Sequence, residues 1–351
     1  MAYLYFYSSF LAFLLLFIGA RGSDETPREG IDNDDEYFLH YVTRPDIRAP
    51  KYEVHIYDED ALAPGYWFIA PYENINKLFK GKPWEAPYIY DGYGELIWAG
   101  GPFMDYYMVN DFKVSRYNDT DMLTGIMFRD NAALFLNSQY ELVKSVNWTS
   151  EWEHANMHEF HVIRDGTRAL TITRNRNTSM SLEESRTVGY DGHCMVQADG
   201  FKEIDITVDP AQVLFEWTGI DHLDLKDSLI KIHNRTTEHI KEVCEKDWDI
   251  HHFNSVDKFA NGDYLLSSKV HDTIYKVSHV DGSIVWRLGG EQNDFKMGDG
   301  TKFGDQHIPR IINETERYLT ISMFANTTPR KSRGQILQID LQDMKVSQIA
   351  A

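Results

Sequence analysis

The sequence is poor in cysteine, in basic charge and in helix-forming pattern. Only Cys194 and Cys244 occur in 351 residues, too few for a disulfide-built scaffold or a thiolate zinc site. Lys and Arg number 35 against 54 Asp and Glu, a formal net charge of −19. That balance argues against nucleic acid, whose phosphates demand a basic face, and against a polybasic membrane-surface binder. There is no GxxxxGK[ST] loop to cradle phosphates, no GxGxxG after a strand, no HExxH and no GxSxG elbow. Neither cysteine stands in a C-x-P-x-R context, so a formylglycine-type sulfatase centre is not expected. After residue 24 no stretch is apolar enough to span a bilayer. What is present is a folded composition, 42% hydrophobic and 13% aromatic, long enough for one large core or two modest domains.

Residues 2–20 carry no charge, and residues 10–18 are almost wholly apolar, with Gly19 and Ala20 following as small residues. Residues 1–20 therefore read as a signal peptide, with an uncleaved signal anchor as the alternative, since about twenty apolar residues span a bilayer. Either reading sends the rest of the chain into the secretory pathway, and the protein is expected to be secreted. Sequons at Asn118, Asn147, Asn177, Asn234, Asn313 and Asn326 fit a glycoprotein. In an oxidising compartment Cys194 and Cys244 are expected to form a disulfide. Residues 21–38 are acidic and aperiodic and read as a solvated linker, leaving 39–351 as the folded domain.

That domain reads as strand. Tyr66-Trp67-Phe68-Ile69-Ala70, Ala169-Leu170-Thr171-Ile172-Thr173 and Tyr264-Leu265-Leu266-Ser267 are short, rich in β-formers and bounded by turn residues. Short helices are expected only within 180–186 and 223–241, as insertions. A strand–turn–strand unit recurs. Ile89-Tyr90-Asp91-Gly92 leads to Leu96-Ile97-Trp98, and Ile274-Tyr275-Lys276-Val277 leads through Asp281-Gly282 to Ile284-Val285-Trp286. Weaker copies fall at Leu134-Phe135-Leu136-Asn137, at Met195 to Ile204 through Asp199-Gly200, and at Ile336-Leu337-Gln338-Ile339-Asp340. Asp-Gly supplies the positive φ angles of a tight hairpin. Five such units fit the chain, and their spacing suits the four-stranded blades of a β-propeller, lengthened by loop insertions.

Histidine is the residue that carries chemistry here. Asn156-Met157-His158-Glu159-Phe160-His161, Asp249-Ile250-His251-His252-Phe253-Asn254-Ser255 and Asp305-Gln306-His307 each stand where a blade begins. The innermost strands of a propeller line its channel, so residues from distant segments converge there. One reading is a metal-dependent hydrolase using His154, His158 and His161; on a strand, however, 158 and 161 point to opposite faces. The other is transfer of an anionic group. A histidine nitrogen attacks an electrophilic centre and carries the group covalently, while cations and amides hold its oxygens. His307, His158, His252, Lys269 and Asn254 supply such a set.

Several long motifs resemble the secreted arylsulfotransferase family in its fungal-type branch. They are Thr43-Arg44-Pro45-Asp46-Ile47-Arg48-Ala49-Pro50, Leu62-Ala63-Pro64-Gly65-Tyr66, Asn156-Met157-His158-Glu159-Phe160, His252-Phe253-Asn254-Ser255-Val256, Ile284-Val285-Trp286-Arg287-Leu288-Gly289-Gly290 and Gln306-His307. The resemblance implies an all-β, six-bladed propeller. It also implies a sulfuryl group moved from an aryl sulfate ester to a phenolic acceptor through a sulfohistidine, with no nucleotide donor, cofactor or metal. His307 matches the sulfated histidine, His252 and Asn254 the second histidine and the asparagine, and His158 the first histidine. Where the family pattern has an arginine after two serines, Ser267-Ser268 is followed here by Lys269, which keeps the charge but not the planar fork. Arg287 is the candidate to compensate at the substrate. Family members continue beyond Val346, so the propeller is expected to be incomplete at the C-terminus. The lysine and the early stop keep open a second reading, a catalytically weak or inactive extracellular ligand-binding propeller. No specific protein partner is inferable.

Overall fold

A computed structural model describes residues 37–60, 62–72, 84–127, 130–148, 153–163, 166–187, 189–223, 237–246, 248–326 and 331–351. The expected signal segment and nearly all of the acidic linker lie outside them, as does most of 223–241. Strands β1 (Phe38–Leu39) and β2 (Ala49–Pro50) pair ahead of the first blade. Blade one is the meander β3 (Tyr66–Ile69), β4 (Tyr88–Asp91) and β5 (Leu96–Ala99). Blade two is β6 (Val109–Tyr117), β7 (Thr120–Met127), β8 (Ala132–Leu136) and β9 (Leu142–Val146). Blade three is β10 (Glu153–Ile163), β11 (Arg168–Ser179), β12 (Met195–Asp205) and β13 (Gln212–Thr218), with β14 (Trp248–Asp249) parallel to β12. Blade four is β15 (Phe253–Lys258), β16 (Tyr264–Ser268), β17 (Thr273–Val277) and β18 (Ile284–Gly289). Blade five is β20 (His307–Glu314), β21 (Tyr318–Ala325), β22 (Arg333–Asp340) and β23 (Lys345–Ala350), with β19 (Lys296–Met297) parallel to β23.

The architecture is an all-β propeller of five blades. It agrees with the five hairpin units in the sequence and corrects the six implied by the resemblance. The C-terminal blade holds a full four-strand meander. Strands β6, β10, β15 and β20 are the first of their blades, and each meets the next in that order.

Cohesion lies between the blades. Phe135, Phe160 and Ile204 pack blade two on three, Phe201, Phe253 and Tyr264 pack three on four, and Leu265, Leu288, Ile321 and Leu337 pack four on five. All of these are buried, and each comes from the alternating positions of its strand. Four expected hairpins form as β4–β5, β8–β9, β17–β18 and β22–β23.

The fifth does not form as expected, because Asp199-Gly200 lies inside one continuous strand, β12. Gly200 is there for close approach. A Cβ on it would sit 2.2 Å from the Trp217 carbonyl oxygen of β13. Gly200→Ala is therefore expected to cost about 1–3 kcal/mol through overpacking, read as a lower denaturant midpoint; an unchanged midpoint would contradict the close contact.

Among the described residues the α-helices are α1 (Leu182–Thr187) and α2 (Thr237–Glu245). Ser181 and Glu184 cap α1 reciprocally, at 2.8 and 3.2 Å. Cys194 and Cys244 are disulfide-bonded and tie α2 to the chain entering β12, within a cluster of Met180, Val196, Ile240, Trp248 and Ile250.

Candidate active site

Each of the four inner strands breaks its ladder near its start. The irregularities fall between Asn110 and Lys113, Ala155 and Phe160, Phe253 and Ser255, and His307 and Arg310. A bulge re-aims side chains that a regular ladder would send to alternate faces. Backbone strain marks the same points: Asp111, His252 and Ile308 have φ of 50°, 42° and 53°. For β-branched Ile308 that conformation is costly.

The bulges bring three histidines together. The ring centroid of His158 lies 5.3 Å from that of His252 and 6.0 Å from that of His307. In each ring Nδ1 is engaged. His158 Nδ1 lies 2.7 Å from Asn156 Oδ1, His252 Nδ1 lies 2.6 Å from Asp249 Oδ2, and His307 Nδ1 lies 2.9 Å from the Asp305 carbonyl oxygen. These partners accept hydrogen bonds, so the proton sits on Nδ1 and Nε2 of each ring is left for chemistry. Asn326 Nδ2 also approaches His307 Nδ1, at 3.3 Å.

Burial and mutual repulsion favour the neutral forms of His158 and His307. His158 is pushed down to about 3 by burial first, then by the neighbouring His252 and His307. His307 is lowered by burial; its bond to Asp305 opposes this, and the charges of His252 and Lys269 add to it. Burial alone would raise the Asp249 carboxyl, but its hydrogen bond to His252 and the charges of His252 and Arg174 hold it at about 2.

The other expected residues divide. Lys269 donates its backbone N–H to the His252 carbonyl at 3.1 Å, and its charge is felt at His307. Asn254 is buried and donates from Nδ2 to the Gln306 carbonyl at 2.7 Å, so it braces the peptide that leads into His307. Arg287 is not brought to the cluster: it lies on β18, the outermost strand of blade four, where its backbone N–H donates to Asp294. His161 faces Asp257 at 3.5 Å, away from His158, and the side chain of His154 lies outside the described residues. Among the described residues no group of three or more His, Cys, Asp or Glu is placed to hold a metal ion. Of the sequon asparagines, Asn118, Asn147 and Asn313 are exposed and Asn326 is half-buried against His307. The side chains of Asn177 and Asn234 lie outside the described residues.

Sequence reasoning did not assign a role to Glu159. It is fully buried beneath the histidines and accepts from Lys113 at 3.1 Å, Arg310 at 2.7 Å and the Val256 N–H at 3.3 Å. Those partners belong to β6, β20 and β15, so one carboxylate on β10 joins blades two, three, four and five. Asp111 accepts from the Phe160 N–H and Asp257 from the Ile311 N–H, at 2.7 and 2.9 Å. Each of three inner strands thus offers a carboxylate to the backbone of the next.

The fold and site together define a five-bladed propeller whose inner strands present a three-histidine cluster. A model of the arylsulfotransferase (ASST) family matches residues 126–351, more than half of the sequence. The chain belongs to that family. The motifs at 43–50 and 62–66 precede the matched range. No curated protein matches. Among solved structures the chain is similar to a protein of unknown function from Bacteroides caccae, at 11% identity over 82% of this chain and 93% of that one, with a TM-score of 0.36. It is similar to Kuenenia stuttgartiensis hydrazine synthase at 9% identity, over 75% of this chain and 59% of that one, with a TM-score of 0.35. Likeness at this level carries no functional argument.

Proposed function

We propose that this is a secreted sulfotransferase of the fungal-type branch, moving a sulfuryl group from an aryl sulfate ester to a phenolic acceptor through a histidine. The observation that carries the reading is the convergence of His158, His252 and His307 with every Nδ1 engaged. The apolar N-terminal segment, the sequons and the disulfide support the extracellular setting.

In the first half-reaction His307 Nε2 attacks the ester sulfur and an N–S bond forms. The S–O bond to the aryl group breaks, and the aryl group departs as a phenolate. His252 is the ring with a carboxylate partner, so it is the one suited to hold a proton beside an anion. In the second half the acceptor hydroxyl gives its proton to His252 Nε2, its oxygen attacks sulfur and the N–S bond breaks; His252 then releases that proton through solvent to the phenolate freed in the first half. His158 stays neutral and accepts a hydrogen bond through Nε2, which orients a hydroxyl rather than supplying a proton. Lys269 offsets the charge of the sulfuryl oxygens.

The test is initial-rate kinetics with 4-nitrophenyl sulfate and a phenol acceptor. A covalent carrier gives parallel double-reciprocal lines; intersecting lines would contradict it. Because His307 is held below the ordinary histidine value, its nucleophilic neutral form persists into mild acid. The acid limb of kcat/KM is accordingly expected below pH 6.5, and a limb above pH 7 would be inconsistent with this nucleophile.

A further inference from the structure

The structure places an unassigned chain of charged groups behind His252. Asp249 Oδ2 accepts from His252 Nδ1 at 2.6 Å, and Asp249 Oδ1 accepts from the His252 backbone N–H at 2.9 Å. The same Asp249 Oδ2 lies 3.5 Å from Arg174 Nη2. Arg174 in turn spans Asp199 with two contacts, Nε to Oδ1 at 3.1 Å and Nη2 to Oδ2 at 3.4 Å. Asp199 is fully buried. The elements are β14, β11 and β12, all of blade three, whereas His252 sits at the entry to blade four. The parallel pairing of β14 with β12, with Gln197 opposite Asp249, holds Asp249 against the blade that carries Asp199 and Arg174.

We propose that Asp199, Arg174 and Asp249 form a positioning relay that fixes the tautomer and orientation of His252. Asp249 locks both the ring, through Nδ1, and the peptide of a residue whose backbone is left-handed. Arg174 holds Asp249 in that rotamer, and the buried Asp199 holds Arg174 by a fork-to-fork pair. Arg174 is committed to two carboxylates, so it acts through them and does not bind the transferred group. This role rests on the proposed sulfuryl transfer only for its kinetic consequence; the tautomer of His252 is a property of the resting protein.

The experiment uses the full secreted chain. Asp249→Asn removes the carboxylate but keeps the shape. Arg174→Met combined with Asp199→Asn removes the far pair without leaving the fully buried Asp199 carboxylate unpaired, and Asp249 keeps its bonds to His252. With 4-nitrophenyl sulfate, Asp249→Asn is expected to lower kcat by about 10²-fold and the double variant by about tenfold, with KM held within about threefold. A KM raised about tenfold or more with kcat held in the double variant would make Arg174 a substrate contact and overturn the relay. Independently of turnover, 15N spectra of histidine-labelled protein are expected to show His252 as the Nδ1–H tautomer in the wild type and as a mixture in Asp249→Asn. Identical imidazole nitrogen shifts in both proteins would overturn the proposal. Wild type without turnover but with the expected tautomer change would sink the sulfuryl-transfer reading and leave the relay standing.

Discussion

His307→Ala is expected to abolish sulfuryl transfer, lowering the rate by about 10³-fold or more, while leaving the fold intact. The imidazole nitrogen is the atom that forms the new N–S bond, so its removal leaves nothing at the head of β20 to carry the group. His307 is only half-buried and heads its strand, and its Nδ1 contacts are a backbone carbonyl and Asn326. Its removal leaves no buried charge behind, so circular dichroism and the unfolding midpoint are expected to stay near wild type. Turnover of 4-nitrophenyl sulfate at the normal rate by the variant would remove His307 from the mechanism.

Glu159→Gln has the largest expected effect on stability, about 3–5 kcal/mol, because it leaves Arg310 largely buried without its anion and Lys113 with Asp111 alone. Burial alone would raise the Glu159 carboxyl, but the charges of Arg310, Lys113 and His161 overcome it and hold it below the ordinary carboxylate range. A carboxyl lowered on folding contributes stability that is present above its unfolded value of about 4.5 and is lost as pH falls through its folded value. The wild type is therefore expected to lose stability faster than Glu159→Gln as pH drops below about 4.5, so their midpoints converge in acid. Parallel midpoint curves for the two proteins over that range would show that the hub does not depend on this charge.

The fold was legible because its turns carry chemistry of their own. Asp-Gly between β-formers marks a hairpin wherever the glycine provides a positive φ, as Gly282 does at 74°. The same dipeptide misleads at Gly200, where glycine serves a close backbone approach within a strand. Nothing in the local sequence separates those two uses. The histidines were legible through their recurrence at blade starts. The bulges that turn them toward one another were not, since a bulge is a property of a pair of strands. Arg287 was misplaced for a related reason: its motif shows a strand but not its rank in the blade, and β18 is the outer one. Asp249 stands only three residues before His252, so their bond is local in the chain. Arg174 and Asp199 come from other strands, and their part emerges only when β11, β12 and β14 are laid side by side.

The central claim is that His307 carries the sulfuryl group, and the most direct test is the mass of the protein itself. Purified, folded chain incubated with 4-nitrophenyl sulfate in the absence of acceptor is expected to gain one sulfuryl group, mapped by fragmentation to His307 and discharged on addition of a phenol. Folded protein that gains no mass and releases no nitrophenol, or that carries the group on another residue, would contradict it.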